Sequence, residues 1–409
     1  MMNERDLSSH IRSILEFWTP ALDWKAGGIH FLMRDFGKGP DRRSVKNLLM
    51  HVRQLYDFSV GHERGYPGAT KAARHLSSTL DPLFLKPEKL YASYHQPEGN
   101  WRREGFSAYD QFYCVVGISR FARAFRDKQA WRKARDLFFR AMTIFGHGAT
   151  FRTQGLFASW NPSKRRWHWK SGNALLHLYE SLVNLGLACR AVFGSSPEGE
   201  REFKALEPVF EDCYHLITRK IYSRKHRVML EDFEDDLTPG LDQEYGCVTN
   251  AHALEWIGFM IEASLLTGKN YPFLGKEGKK LADISFERAA SRLNGFRNDY
   301  FLHEKTSTED VPFWAQIESI LTACFLAKWW KDNSYLLKAR KLWDFYGKYF
   351  LDRKFGGIYS AVSCHGVATD RRKGHAWKCD HHNLRVCEKI LDYGLLSERP
   401  LTLPESLTD

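Results

Sequence analysis

Arg53, Asp110, His177, His252, Trp314 and His382 each interrupt a different long apolar stretch, and they recur about 57–75 residues apart. A polar side chain inside an apolar helix needs a reason, because burying it unpaired costs ~2–7 kcal/mol. An interval of that size is one helix hairpin. The pattern therefore predicts six hairpins, each giving one chemistry-bearing residue from an inner helix. Closed into a ring, they make an all-α (α/α)6 toroid around a central cleft. Two separate all-α domains also satisfy the periodicity. Apolar residues at the helical period predict helices over 7–18, 44–62, 68–79, 107–126, 128–146, 171–192, 199–221, 248–267, 277–292, 311–330, 333–349 and 379–394. No long linker or composition break divides them, so the chain reads as one catalytic domain over 1–409. Gly27-Gly28-Ile29 and Gly356-Gly357-Ile358 suit short β-hairpins in connecting loops, and their likeness hints at internal repetition.

Composition narrows the function. Lys and Arg exceed Asp and Glu by 11. The cations are scattered, and the clusters at 164–166 and 371–373 are short. The charge therefore reads as solubility, with no nucleic-acid partner expected. Every apolar run falls short of the ~18 residues that cross a bilayer. Glu4 and Asp6 near the start, with no apolar core after them, do not suit a signal peptide. Eight dispersed cysteines without a CxxC pair fit a reduced cytoplasmic protein lacking disulfides and zinc. Aromatics at 14% fit a large core, a carbohydrate cleft, or both.

Several local patterns carry chemistry. Asn173, His177 and Glu180 share one helical face, which suits a wet cleft and equally a buried polar network. His252 and Glu255 stand one turn apart, so the carboxylate can orient the ring and favour its protonated form. Trp314 and Glu318 share a face: the indole can cover the C–H face of a pyranose and the carboxylate can accept from its hydroxyls. Arg53 within an apolar helix needs a partner, either a structural carboxylate or a substrate oxygen. His381-His382 does not suit a metal, because neighbouring histidines on a helix point in different directions. The acidic run 231–236 reads as a solvated loop. No Gly-rich phosphate cradle, nucleophile elbow or dinucleotide fingerprint stands out.

Taken in order, these residues resemble the N-acylglucosamine 2-epimerase family, which includes cellobiose and mannose 2-epimerases and mannose isomerases. The likeness runs through Gly27-Gly28, Asp35, Arg53 with Gln54 and Phe58, the Asn173–His177–Glu180 helix, the His252/Glu255 pair, Trp314-x-Gln316-x-Glu318 and His382-Asn383. The resemblance implies an (α/α)6 barrel and a cofactor-independent enzyme. It implies that His252 and His382 are the acid–base pair and that Glu255 orients His252. Arg53, Asn173, His177 and Glu318 would bind sugar oxygens, and Trp314 and Trp377 would pack against the sugar. Two departures bear on the substrate. Leu48-Leu49-Met50 stands where many relatives have a Trp, and Asp380-His381 where many have Pro-Tyr.

The expected reaction is epimerisation or aldose–ketose isomerisation at C2 of a free reducing sugar of the mannose, glucose and fructose type, through a cis-enediolate. The partner is then a small sugar, and the protein a monomer or homodimer. N-acylglucosamine or a disaccharide such as cellobiose is the alternative substrate. A glycoside hydrolase using two of Asp110, Glu255 and Glu318 is the rival enzyme class, and a non-catalytic sugar-binding protein the third reading.

Overall fold

The computed structural model describes residues 2–33, 39–42, 45–95, 105–147, 155–240, 246–404 and 407. Asp35 and the first residue of the helix expected from 44 lie outside them. Among the described residues twelve α-helices follow the expected order: α1 Glu4–Trp18, α2 Leu48–Glu63, α3 Ala69–Phe84, α4 Ala108–Phe125, α5 Lys128–Phe145, α6 Gly172–Phe193, α7 Pro197–Leu216, α8 Asn250–Thr267, α9 Lys276–Ala289, α10 Phe313–Trp329, α11 Asn333–Tyr349 and α12 His381–Asp392.

The even-numbered helices are buried on nearly every face, and the odd-numbered ones bury a single stripe. That difference sorts them into two layers. The inner ring runs α2, α4, α6, α8, α10, α12 and back to α2. Each odd-numbered helix from α3 to α11 packs outside the inner helix just before it, and α1 packs on α12. The first helix thus closes the last hairpin. Trp18 Nε1 donates to Asp380 Oδ2 at 3.0 Å, and His10 Nε2 lies 2.8 Å from the Tyr346 hydroxyl.

Short strands sit just ahead of five inner helices, at Lys46–Asn47, Phe106–Ser107, Arg166–Ser171, Cys247–Thr249 and Asp310–Pro312. The side chains of Asn47, Ser107 and Ser171 cap α2, α4 and α6 by accepting backbone N–H bonds. These strands ring the end of the barrel where the inner helices begin.

The two Gly-Gly segments are copies in geometry as well as sequence. Asp23 and Asp352 each accept two backbone N–H bonds within their own turn. Each also pairs with a buried lysine, Lys46 at 2.7 Å and Lys373 at 2.9 Å. One-bridge hairpins join Leu22 to Ile29 and Leu351 to Ile358. Gly356 and Gly357 have φ of 74° and 73°, where an L side chain is strained, and a Cβ on Gly357 would meet the Phe17 ring at 2.7 Å.

Among the described residues no helix is long and apolar enough to cross a membrane. All eight cysteines are free.

Candidate active site

The first two turns of the inner helices supply the polar groups, because their N-termini open at the stranded end of the barrel. Arg53 comes from α2, Tyr109 from α4, Asn173 and His177 from α6, His252 from α8, Trp314 from α10 and His382 from α12. The Trp314 indole lies against both His252 and His382, with ring centroids 5.1 Å and 6.3 Å away.

Arg53 is 2% exposed, and among the described residues no carboxylate pairs with it. It donates to the Trp377 carbonyl at 3.2 Å and to the Tyr109 hydroxyl at 2.8 Å, and lies over the Tyr113 ring. Its Nη2 is 3.4 Å from His382 Nε2. A buried, permanently charged guanidinium with only neutral partners is poised for an anionic one.

Each histidine is held through Nδ1 by a carboxylate: His382 by Glu318 at 2.7 Å, His177 by Glu180 at 2.8 Å and His252 by Glu231 at 2.8 Å. Two of these partners correct the sequence reading. Glu231, assigned above to a solvated loop, takes the orienting role given to Glu255. It sits beside the strand Asp232–Phe233, which pairs with Arg166–Ser171 at the entrance to α6. Gly172 permits this approach, since a Cβ there would lie 2.5 Å from the Leu230 carbonyl. Glu318, expected to bind sugar, is 1% exposed and turned to His382 and Arg385.

The third correction is Asp110. Its buried carboxylate accepts from the hydroxyl of Ser93, a residue that lines the cleft, and is not itself among the lining residues. Its neighbour Tyr109, about 100° around the helix, faces Arg53, His177 and Trp377 instead.

Arg385, one turn beyond His382, was missed. Its guanidinium lies 2.5 Å from Glu318, 3.2 Å from Glu180 and 3.5 Å from Glu255. Nothing local in the sequence marks it, because its three partners come from three other helices.

This crowd of charge sets the protonation states. Burial lowers His382, and the Arg53 and Arg385 cations push it further, well below the usual histidine range. Burial would also lower His252, but Glu231, Glu255 and Asp299 outweigh it and raise the ring to about 9. Burial and the neighbouring Glu318 raise Glu255 to about 8. Burial would raise Glu180, yet Arg385 and His177 hold it well below the usual carboxylate range. At neutral pH the cleft therefore holds a neutral His382, a cationic His252 and a largely protonated Glu255. Glu255, Glu318 and His382 bring potential metal ligands within 4.8 Å of one another. Arg385 already supplies the cation for that group.

Beside this centre lies a cleft of about 310 Å³ lined by Tyr109, Asn173, Trp169, Trp377 and the serines 93, 107, 159 and 171. Trp377 is 57% exposed and Trp169 59%. Asn173 Oδ1 is buried there without a hydrogen-bond partner among the described residues.

The N-acylglucosamine 2-epimerase (GlcNAc 2-epimerase) family model matches residues 27–383. The chain belongs to this family. It is 22% identical to a cellobiose 2-epimerase of Ruminococcus albus over 96% of this chain and 98% of that one. A D-mannose isomerase of Marinomonas mediterranea is 28% identical over a shorter stretch, 34% of this chain and 35% of its own. The crystal structure of a D-mannose isomerase superposes with a TM-score of 0.82 at 20% identity, covering 95% of this chain and 97% of that chain. The six-hairpin ring is thus the fold of these solved relatives.

Proposed function

We propose that the protein interconverts free reducing sugars at C2, as an epimerase or aldose–ketose isomerase of the mannose, glucose and fructose type. The observation that carries this is the packing of two histidines on one indole, one beside carboxylates that favour its charge and the other beside cations that oppose it, next to an arginine without a carboxylate partner among the described residues.

The open-chain sugar lies between His252 and His382, over Trp314. His382, neutral and with its Nδ1 proton committed to Glu318, presents a lone pair on Nε2 and takes the C2 proton. Negative charge develops on the substrate oxygens as the cis-enediolate forms. Arg53 next to Nε2 neutralises it, helped by the positive ends of the inner helices that open on the cleft. One such donor is worth ~3–4 kcal/mol in a water-poor site. His252, cationic through Glu231, returns a proton to the opposite face of C2 and gives the epimer. Return to C1, with the O2 proton passing to O1, gives the ketose. The three carboxyls of the hydrolase reading are each committed: Asp110 to Ser93, and Glu255 and Glu318 to Arg385.

A disaccharide is the second reading. The cleft walled by Trp169 and Trp377 favours it, because exposed indoles with nearby hydroxyls suit a further sugar ring. Proton NMR of mannose, glucose, fructose, N-acetylglucosamine and cellobiose incubated with the enzyme in D₂O tests both. Deuterium at C2 or C1 of one of them, lost in His252→Ala and His382→Ala, is the expected result. Absence of exchange with every sugar would sink the reading.

A further inference from the structure

We propose that Arg385 is a positioning residue, a guanidinium clamp that fixes the tautomers of His177 and His382 together by holding Glu180 and Glu318 as carboxylates. The proposal rests on the reading of His382 as the base.

Arg385 is 1% exposed. Its Nη1 reaches Glu180 Oε1, while Glu180 Oε2 holds His177 Nδ1. Its Nη2 reaches Glu318 Oε1, the same oxygen that holds His382 Nδ1. A continuous path therefore runs from His177 through Glu180, Arg385 and Glu318 to His382, across α6, α12 and α10. The two ends of one planar guanidinium lie against the two carboxylates, a spread of charge a lysine cannot reproduce, and the Nη1 contact to Glu180 is an ion pair at 3.2 Å without hydrogen-bond geometry.

Charge arithmetic gives the clamp its second task. Three carboxyls, Glu180, Glu255 and Glu318, face one permanent cation. The other groups packed around it are Tyr113 from α4, the Phe259 ring from α8, and His381 and His382 of its own helix. Arg53 of α2 acts on both of those histidines. Lys389, one turn further along, is bound to Glu262 at 2.6 Å. Arg385 is the leading charge opposing burial at both Glu180 and Glu318. His177 supports Glu180 and Lys389 supports Glu318 more weakly, and burial already lifts Glu318 above its usual range, so without Arg385 protons would settle on them. A protonated Glu318 donates to His382 Nδ1 rather than accepting from it. The ring proton then moves to Nε2, and the base loses its lone pair on the substrate side.

Arg385→Lys keeps the charge and loses the fork, and Arg385→Met loses both. Long-range ¹H–¹⁵N NMR of the histidine rings at pH 8 reads the tautomers without turnover. The wild type should show Nδ1–H at both His177 and His382. Both rings should shift toward Nε2–H in each variant that folds by circular dichroism, with kcat down at least about tenfold and KM within about threefold. If Arg385→Met does not fold, Arg385→Lys is read alone by the same criteria. Unchanged tautomers, a change in only one ring, or kcat within threefold of wild type overturns the clamp. A wild type with both Nδ1–H signals but no C2 exchange on any sugar would instead refute the reading of the function and leave the clamp standing.

Discussion

Glu231→Gln isolates the electrostatic work done on His252. The ring is raised from the ordinary 6.5 to about 9, with the Glu231 carboxylate the leading cause against burial. At 1.36 kcal/mol per pKa unit, that difference is about 3 kcal/mol between the protonation states. Screening takes little from it, because the His252 and Glu231 side chains are only 15% and 17% exposed. At pH 8 a ring titrating near 9 is about nine-tenths protonated, while one near 6.5 is only a few per cent protonated. Glutamine keeps the shape and removes the charge. The alkaline limb of kcat/KM should therefore move from near 9 to about 6.5 or below. Activity at pH 8 should fall roughly thirtyfold, against less than about twofold at pH 6. The stability difference has a defined sign. A histidine raised on folding contributes fully below its unfolded value and loses that contribution as pH rises through its folded one. Urea unfolding should therefore show wild type ahead by about 3 kcal/mol at pH 6, shrinking toward nothing by pH 10. The two measurements are a pH–rate profile of C2 exchange and denaturation curves at four pH values. An alkaline limb that stays near 9 in the variant, or an equal loss at every pH, would refute the assignment of Glu231 as the partner that charges His252.

Two further substitutions probe the surroundings. Trp377→Ala should raise KM for cellobiose about tenfold or more and leave KM for mannose within about threefold, as steady-state kinetics on both sugars will show; equal effects would remove the second-ring role of the indole. Gly172→Ala places a methyl against the Leu230 carbonyl, so denaturant unfolding should report a loss of about 1–3 kcal/mol, and displacement of the adjoining Glu231 should lower the alkaline limb as well.

The site was legible in outline because some of it is local. His382 lies in a distinctive run ahead of an apolar helix, and His177 holds Glu180, its own neighbour one turn away. The partners that give the site its chemistry are not local. Glu255 looks like the orienting carboxylate because it stands one turn from His252, yet a carboxylate 21 residues upstream, just ahead of a short strand, takes the place. Asp110 was read as the cleft residue of α4, and a single step of the helix hands that position to Tyr109.

The sequence by itself determined the all-α class and the alternation of inner and outer helices. An apolar period of 3.6 is written into each helix, and burial on every side against burial on one separates inner from outer helices. The even recurrence of one polar residue per pair points to a ring, while two separate all-α domains fit the same periodicity, and the contact of the last inner helix with the first is what closes it. Tertiary structure alone decided which charges meet. Whether Arg385 faces Glu180, Glu255 and Glu318 depends on the rotation and depth of four separate helices, set by packing across the barrel. Protonation follows from those distances rather than from residue type, so one histidine is driven neutral and the other cationic.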